Sequence, residues 1–472
     1  MIEEKPKTLP PEVIVALQAI TGHERTLTSP EDLIAYSYDA TWIESPPQVV
    51  ILPKSAAEIS EVLKLANRYK IPVAPRGAGS GLSGGSVPQQ GGIALALTLM
   101  DRILEIDTEN SVAVVEPGVI TFALQKAVEK VGLFYPPDPS SLKQSAIGGN
   151  IAENAGGARC LKYGVTSDYV RALEVVLPTG EIIHTGGKMV KIATGYNLRH
   201  LFVGAEGTLG IVSRITLKLI PLPKYKRTAL ATFPSVESAS VAVTQIMESG
   251  LLPASIELMD NLTIRCVEEF KPAGLPLDAG ALLLFAMDSN YEQILLSETE
   301  AVAQICRECG ATSVRVAADD SENDKLWEAR RAVSPALARR RPNKLGEDIS
   351  VPRSALPELV RGIAEIAERF SLPIPVFGHA GDGNLHPNML CDRRNPQEME
   401  RVHAAAAEIF RLAVRLGGTL SGEHGIGLLK KEFMMEALGA EQVELMRRIK
   451  TTFDPNGILN GGKLFPTGES SW

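Results

Sequence analysis

Long apolar runs, an excess of positive charge and a cysteine framework are all missing from this chain of 472 residues. No stretch of about 18 or more apolar residues occurs, which excludes an ordinary membrane-spanning helix. The formal net charge of −8 argues against nucleic acid or an anionic bilayer as the main partner. Five cysteines, at 160, 266, 306, 309 and 391, are too few and too scattered for a disulfide scaffold. Cys306 and Cys309 form a C-x-x-C, but no second pair completes a zinc or cluster site, so packing is their expected role. The opening stretch MIEEKPKTLPPEVIVALQ is acidic and broken by proline, without the basic-then-apolar shape of a secretion signal. A cytoplasmic location is expected, peripheral to a membrane at most through a partner.

What remains is an ordinary globular composition, 44% hydrophobic and 22% charged, long enough for several domains. Val49 to Leu52 reads as a strand, and Ser55 to Glu58 as a capping box opening a helix to about Tyr69. Strand runs follow at 93–98 and 112–116, then a helix from about Phe122 to Val131 capped by Thr121. Val170 to Leu177 and Glu181 to Thr185 flank Pro178-Thr179-Gly180 as a hairpin. A long strand from Ile211 to Ile220 ends at Pro221-Leu222-Pro223, which marks a domain boundary. Beyond it two strand–helix–strand rounds, 228–259 and 281–317, predict a ferredoxin-like layer. A polar segment from Asp319 to Lys344 carries Arg339-Arg340-Arg341, and a helix spans about Leu356 to Phe370.

The stretch PRGAGSGLSGGS contains a literal G-x-G-x-x-G at Gly79 to Gly84, after a short apolar run. A dinucleotide fingerprint must open a helix, because the phosphate sits on that helix's N-terminus. Here Gly85, Pro88, Gly91 and Gly92 follow, which break any helix, so a nicotinamide-type fold is disfavoured. The loop still suits a pyrophosphate, with backbone N–H groups turned inward and Arg76 and Ser80 as further donors. Two more small-residue stretches, Pro136 to Gly157 and Val203 to Ile211, suggest an extended ligand threaded between subdomains.

With these motifs in order, and with the closing TTFDPNGILNGGKLF, the sequence resembles the flavoproteins of the vanillyl-alcohol oxidase fold. More narrowly it resembles the glycolate oxidase flavin subunit and the D-lactate and D-2-hydroxyglutarate dehydrogenases, from about Pro47 to Pro466. The resemblance implies an α+β architecture: a two-subdomain FAD-binding domain, a ferredoxin-like substrate or cap domain, and a C-terminal helical segment returning to the FAD domain. The expected division is an N-terminal helical segment (1–46), the FAD-binding domain (47–223), the cap domain with a metal site (224–438) and the C-terminal segment (439–472). In the first loop, Pro75, Arg76, Gly77, Ala78, Gly79, Ser80, Gly81, Leu82, Gly84, Gly85 and Ser86 would hold FAD. In the second, Pro137, Asp138, Ser140, Ser141, Ala146, Gly148, Gly149, Asn150, Ala152, Asn154, Gly156 and Gly157 would do so. Glu206, Gly207, Gly210 and Ile211 would line the cofactor, with Asn384, Asn460 and Lys463. The tail has Asn460-Gly461-Gly462-Lys463 where relatives usually have Asn-Pro-Gly-Lys, which spares the lysine. No histidine stands in the first loop, so FAD is expected to be non-covalent.

FGHAGDGNLHPN places His379 and His386 seven residues apart, an odd spacing that a straight strand would send to opposite faces. Gly381-Asp382-Gly383 is a turn signal that can bring both rings together. SGEHGIG adds Glu423 and His424. By spacing alone a divalent ion and hydrogen-bonded loop histidines both stay open. The resemblance implies His379, His386 and Glu423 as metal ligands, zinc first and manganese or iron next, with His424 as the base. It also implies Arg330 as the clamp on a substrate carboxylate, a catalytic and binding role, with Asn384 on substrate or flavin. Some relatives carry a lysine just before the EDIS-like strand; here Gly346 stands there and Lys344 two residues earlier.

The expected activity is FAD- and metal-dependent oxidation of a small D-2-hydroxy acid, glycolate or D-lactate, to the 2-oxo acid. D-2-hydroxyglutarate is the alternative substrate, with Arg339 to Arg341 as a second cationic pocket, and a flavin electron relay is the alternative class. With no cluster-binding cysteines, electrons must leave to an iron–sulfur subunit, an electron-transfer flavoprotein, a quinone or oxygen. A homodimer stays open as the assembly.

Overall fold

The computed structural model describes residues 9–466; the ends of the expected N-terminal and C-terminal segments, 1–8 and 467–472, lie outside the described residues. Two compact units emerge. The first takes residues up to Gly156, Val165–Leu222 and Glu423 onward; the second takes Gly157–Gly164 and Pro223–Gly422. The second unit therefore stops at Gly422, well before the expected boundary at 438, and it captures the short helix Cys160–Tyr163.

In the first unit a four-stranded sheet runs in the order Thr26–Leu27, Val49–Ile51, Ile93–Ala96, Val73–Arg76. The central pairs are parallel, so both faces need cover. The helix Ala56–Tyr69 supplies it on one side. Its Ile59, Val62, Leu63 and Ala66 fall at helical spacing and are fully buried with Val49, Ile51 and Leu95. Ser55 caps this helix by accepting from the Glu58 amide at 3.2 Å. A second, antiparallel sheet orders Ile103–Asp107, Val112–Val115, Ile211–Lys218, Val170–Val176 and Ile182–Gly186. The expected strand to Ile220 ends at Lys218, and Ile220–Pro221 pairs separately with Leu133–Phe134.

Thr121 is the first residue of the helix Thr121–Glu129, which Ile120 precedes, rather than its cap. Its hydroxyl is used elsewhere: it donates to the Ser145 carbonyl at 3.1 Å and accepts from Asn150 Nδ2 at 2.7 Å. That ties the helix to the second glycine-rich stretch.

The second unit is built on one sheet whose first four strands lie in the order Ser313–Val316, Tyr225–Phe233, Ala281–Ser289, Ser255–Asp260. With the helices Val236–Glu248 and Glu292–Glu308 between them, this is the ferredoxin-like arrangement. The sheet continues through Val376–His379, Asn384–Cys391 and Asn343–Gly346. The polar segment 319–344 is largely helical, as Asp320–Arg331 and Val333–Arg340. No described helix is long and apolar enough to cross a membrane.

Candidate flavin cradle and polar centre

In the first unit the motif loops converge. No helix follows Gly84; residues 77–92 form a loop between the strands Val73–Arg76 and Ile93–Ala96. Gly77 lies against the second stretch: a Cβ there would sit 3.5 Å from Ala146 Cβ and 3.7 Å from the Gly149 amide. The third stretch docks on the helix Ile147–Glu153, with the Gly204 and Glu206 amides donating to the Ile151 and Ala152 carbonyls at 2.9 and 2.8 Å. Gly207 backs onto the first loop's strand, where a Cβ would lie 2.4 Å from Pro75 Cγ. The tail closes the ring. Asn460 Nδ2 donates to the Gly85 and Glu206 carbonyls at 2.9 and 2.6 Å, and Lys463 Nζ to the Gly85 carbonyl at 2.6 Å.

Two observations fit a bound ligand with polar groups in this cradle. A Cβ built on Gly149 meets nothing within 4 Å, so open space fronts that backbone. Glu153 is buried with Oε2 lacking a hydrogen-bond partner among the described residues, while its Oε1 accepts from Ser83 Oγ at 3.2 Å. Burial, then the neighbouring Glu206, hold the Glu153 carboxyl well above its ordinary pKa. Glu206 is raised by burial too, although it accepts from the Ile426 and Gly427 amides at 2.7 Å each. Burial also lowers the Lys463 ammonium to about 7 and depresses the Arg76 guanidinium. Arg76 Nη1 donates to the Tyr38 carbonyl at 2.5 Å.

The second unit holds a separate polar centre. Val376–His379 and Asn384–Cys391 form an antiparallel hairpin with Phe377 opposite His386 and His379 opposite Asn384. Gly383 makes the turn at φ +85°, and a Cβ there would lie 2.1 Å from the Val351 carbonyl oxygen. In this register His379 and His386 are diagonal neighbours on one face, so the odd spacing is resolved by the hairpin. Their ring centroids are 5.2 Å apart.

Two buried carboxylates stand behind the two rings. Glu257, on the neighbouring strand Ser255–Asp260 and opposite His379 in register, places Oε1 2.7 Å from His379 Nδ1. Its Oε2 accepts from Arg330 Nε at 2.7 Å and pairs with Nη2 at 2.5 Å. Burial alone would raise the Glu257 carboxyl; Arg330 and His379 outweigh it and hold it below its ordinary value. The Arg330 guanidinium also lies 4.8 Å from the Phe377 ring centre. Asp348 Oδ1 accepts from Asn384 Nδ2 at 2.6 Å and lies 3.7 Å from His386 Nδ1. Its Oδ2 accepts from Ser421 Oγ at 2.6 Å and the Gly422 amide at 2.9 Å.

The structure thus brings together Arg330, His379, Asn384 and His386 of the expected site residues, all in the second unit. Glu423 and His424, both half-buried, open the last segment of the first unit, directly after Gly422. Gly157 belongs to the second unit, apart from the other cradle residues by that division. The basic run is spent in pairs: Arg340 with Glu269 at 2.9 Å, Arg341 with Glu398 at 2.8 Å, and Arg339 over the Phe270 ring. Sequence reasoning missed Glu257, Asp348 and Glu153. For Glu257 the available signal was a lone carboxylate between Ile256 and Leu258 on a strand, since such a group is seldom fully buried without a partner; Asp348, next to Glu347, and Glu153, at the end of a helix, gave no such signal.

A unit built from converging glycine loops and a second, ferredoxin-like unit define an FAD-binding oxidoreductase of the vanillyl-alcohol oxidase fold. Two solved structures share it: p-cresol methylhydroxylase with bound substrate (TM-score 0.83, 18% identity, covering 97% of this chain and 98% of that one) and 4-ethylphenol oxidase from Gulosibacter chungangensis (0.79, 20%, 98% and 99%). Residues 47–186 match the FAD binding domain family, and residues 222–464 match FAD linked oxidases, C-terminal domain. The chain belongs to the FAD-linked oxidase family. It is 47% identical to glycolate oxidase subunit GlcD of Bacillus subtilis, covering 94% of this chain and 95% of the relative. It is 39% identical to GlcD of Escherichia coli K12 (96% and 91%) and 37% identical to D-lactate dehydrogenase of Anaerostipes hadrus (98% and 99%).

Proposed function

We propose that the protein oxidises a small D-2-hydroxy acid, glycolate or D-lactate, to the 2-oxo acid and passes the electrons to a partner. The observation that carries this reading is the polar centre itself: two histidines on one strand face beside an arginine, in a family whose relatives are named for glycolate and D-lactate. When bound, FAD supplies the two-electron acceptor, and a divalent ion, zinc first, supplies a Lewis acid for the substrate hydroxyl.

His379, His386 and Glu423 are the residues we assign to that ion, a nitrogen–nitrogen–oxygen donor set suited to a catalytic site. Gly422 supports the inclusion of Glu423, because its amide is held by Asp348, whose other oxygen binds Asn384 on the histidine strand. His424 accepts the hydroxyl proton on a ring nitrogen, since imidazole has a fitting pKa. Arg330 receives the substrate carboxylate with its planar fork, and Asn384, pinned by Asp348 and the Ile349 carbonyl at 2.9 Å, orients the acid. FAD is non-covalent in this reading, and the acceptor is an iron–sulfur subunit, an electron-transfer flavoprotein or a quinone. The name "subunit" carried by two relatives supports a partner chain.

A second reading, a 2-hydroxy diacid such as D-2-hydroxyglutarate, draws on Lys344. Its Nζ contacts Asn388 Oδ1 at 3.4 Å, two residues from His386 on the same strand face, and burial lowers it to about 8.

The test is anaerobic bleaching of the flavin band near 450 nm (roughly the oxidised flavin maximum) with glycolate, D-lactate, L-lactate and D-2-hydroxyglutarate. Bleaching by one D-acid or by glycolate, lost on chelation and restored by zinc or manganese, is the expected result. Full reduction by dithionite with no response to any of the acids refutes the proposal.

A further inference from the structure

Glu257 is buried without any solvent exposure in the strand Ser255–Asp260, between the apolar Ile256 and Leu258. One carboxylate there serves two partners: Oε1 faces His379 Nδ1 at 2.7 Å, and Oε2 receives Arg330 Nε at 2.7 Å. Nothing in the proposed reaction uses Glu257 directly. Yet its partners are the two residues that would handle the metal and the substrate carboxylate.

The chemistry of this contact is one-sided. A carboxylate accepts and never donates, so a short contact to His379 Nδ1 places a ring proton on Nδ1, and in the neutral ring this leaves Nε2 as the lone-pair nitrogen. Histidines that bind metals characteristically donate their other N–H to a carboxylate or carbonyl, which fixes tautomer and ring angle. The other oxygen, Oε2, fixes the guanidinium through both Nε and Nη2, and the Phe377 ring lies 4.8 Å from it. Because both partners share one rigid anion, a displacement of either is felt by the other.

We propose that Glu257 is a positioning residue that holds His379 as the Nδ1–H tautomer, presenting Nε2 for the metal, and in the same contact aims Arg330 at the substrate carboxylate. This rests on the assignment of His379 and Arg330 made above.

Glutamine at 257 is the discriminating change. Its single oxygen goes to Arg330, which can only donate, and its amide N–H₂ then faces His379 Nδ1. That forces the proton to Nε2 and removes the ligand lone pair. FAD-loaded wild type, Glu257→Gln and Glu257→Asp, stripped with chelator, are titrated calorimetrically with manganese. Flavin content and thermal midpoint are recorded for each. The expected result is manganese binding weakened about 10- to 100-fold in Glu257→Gln, in line with the loss of outer-shell partners elsewhere. Glu257→Asp, still an acceptor, falls between, and KM for the bleaching acid rises more than kcat falls. Wild-type affinity in folded Glu257→Gln overturns the inference.

Long-range ¹H–¹⁵N correlation on the metal-free wild type reads the His379 tautomer whether or not the variants fold, with assignment by loss of the signal in His379→Gln. The Nδ1–H form is expected, and an Nε2–H form overturns the inference. Wild-type protein that takes up no manganese or zinc refutes the metal reading instead, and leaves the tautomer measurement to decide the role of Glu257.

Discussion

His379 and His386 lie as diagonal neighbours across a hairpin, their ring planes at 88° and their centroids 5.2 Å apart. Perpendicular rings on one strand face can aim nitrogens at a common point from two directions, which stacked rings could not do. If that point holds a metal, His379→Asn and His386→Asn should each abolish stoichiometric manganese or zinc uptake. FAD content should be unchanged, because the glycine cradle belongs to a different compact unit. Elemental analysis beside the flavin absorbance makes the comparison. Metal retained at one equivalent in both variants would remove these rings from the ligand set.

Asp348 has a different kind of importance. Fully buried, it accepts from Asn384, Ser421 and Gly422, three donors from two distant segments. An asparagine there keeps one oxygen and turns an N–H₂ group toward groups that also donate. Removing a charged acceptor from several buried donors costs roughly 2–4 kcal/mol. Asp348→Asn should therefore lower the denaturant midpoint of unfolding by a corresponding amount, with the slope of the transition preserved. A substitution of Ser421 by alanine, which strands only one acceptor site, should cost distinctly less, on the order of 1 kcal/mol. Equal effects of the two changes would show that Asp348 is not the hub of this cluster.

These two cases also mark where the sequence was legible. The strand–helix rhythm of the second unit could be read because its apolar period is strong; Val236–Glu248 buries Ala239, Ala242, Val243 and Ile246 at helical spacing. The glycine stretches were legible because positive-φ turns and close backbone approach leave few alternatives to glycine, as at Gly207 with φ +67°. The helix Asp320–Arg331 was not, since its polar composition gives propensity nothing to set against a loop reading. Glu257 and Asp348 were missed for a related reason. Their roles lie in long-range pairing, with Arg330 73 positions from Glu257 and Ser421 73 positions from Asp348, and local pattern carries no record of such contacts.

The cradle glycines differ in what surrounds them. Gly149 faces open space at its Cβ position, whereas Gly207 combines a positive φ with a Cβ position 2.4 Å from Pro75 Cγ. Gly149→Ala should leave the thermal midpoint of the FAD-free protein within about 2 °C and weaken FAD binding about tenfold, the signature of a side chain placed where the ligand lies. Gly207→Ala should instead destabilise the FAD-free protein by roughly 1–3 kcal/mol through strain and overlap. Fluorescence titration with FAD and thermal unfolding together separate the two. A Gly149→Ala protein with unaltered FAD affinity would exclude this backbone from the cofactor site.

Lys463 supplies a pH test of the tail closure. It is 4% exposed, donates to the Gly85 carbonyl and to Asn460 Oδ1 at 2.6 and 2.5 Å, and burial brings its ammonium down from 10.5 to about 7. Glu206, Asp39 and Glu153 oppose the shift without cancelling it. Between pH 7 and 10.5 the unfolded chain thus holds a proton at this residue that the folded chain has released. Stability rises with pH wherever the unfolded state binds more protons, so this lysine's contribution must grow more favourable across that window. Lys463→Met deletes the titration and the hydrogen bonds together, but only the titration varies with pH. The stability of FAD-free wild type, measured relative to Lys463→Met by urea unfolding, should climb between pH 7 and 10 by an amount on the order of a few kcal/mol. A difference that stays flat across those pH values would mean that Lys463 remains charged in the fold. The ring of contacts from Gly85 to Asn460 would then enclose an ammonium rather than a neutral amine.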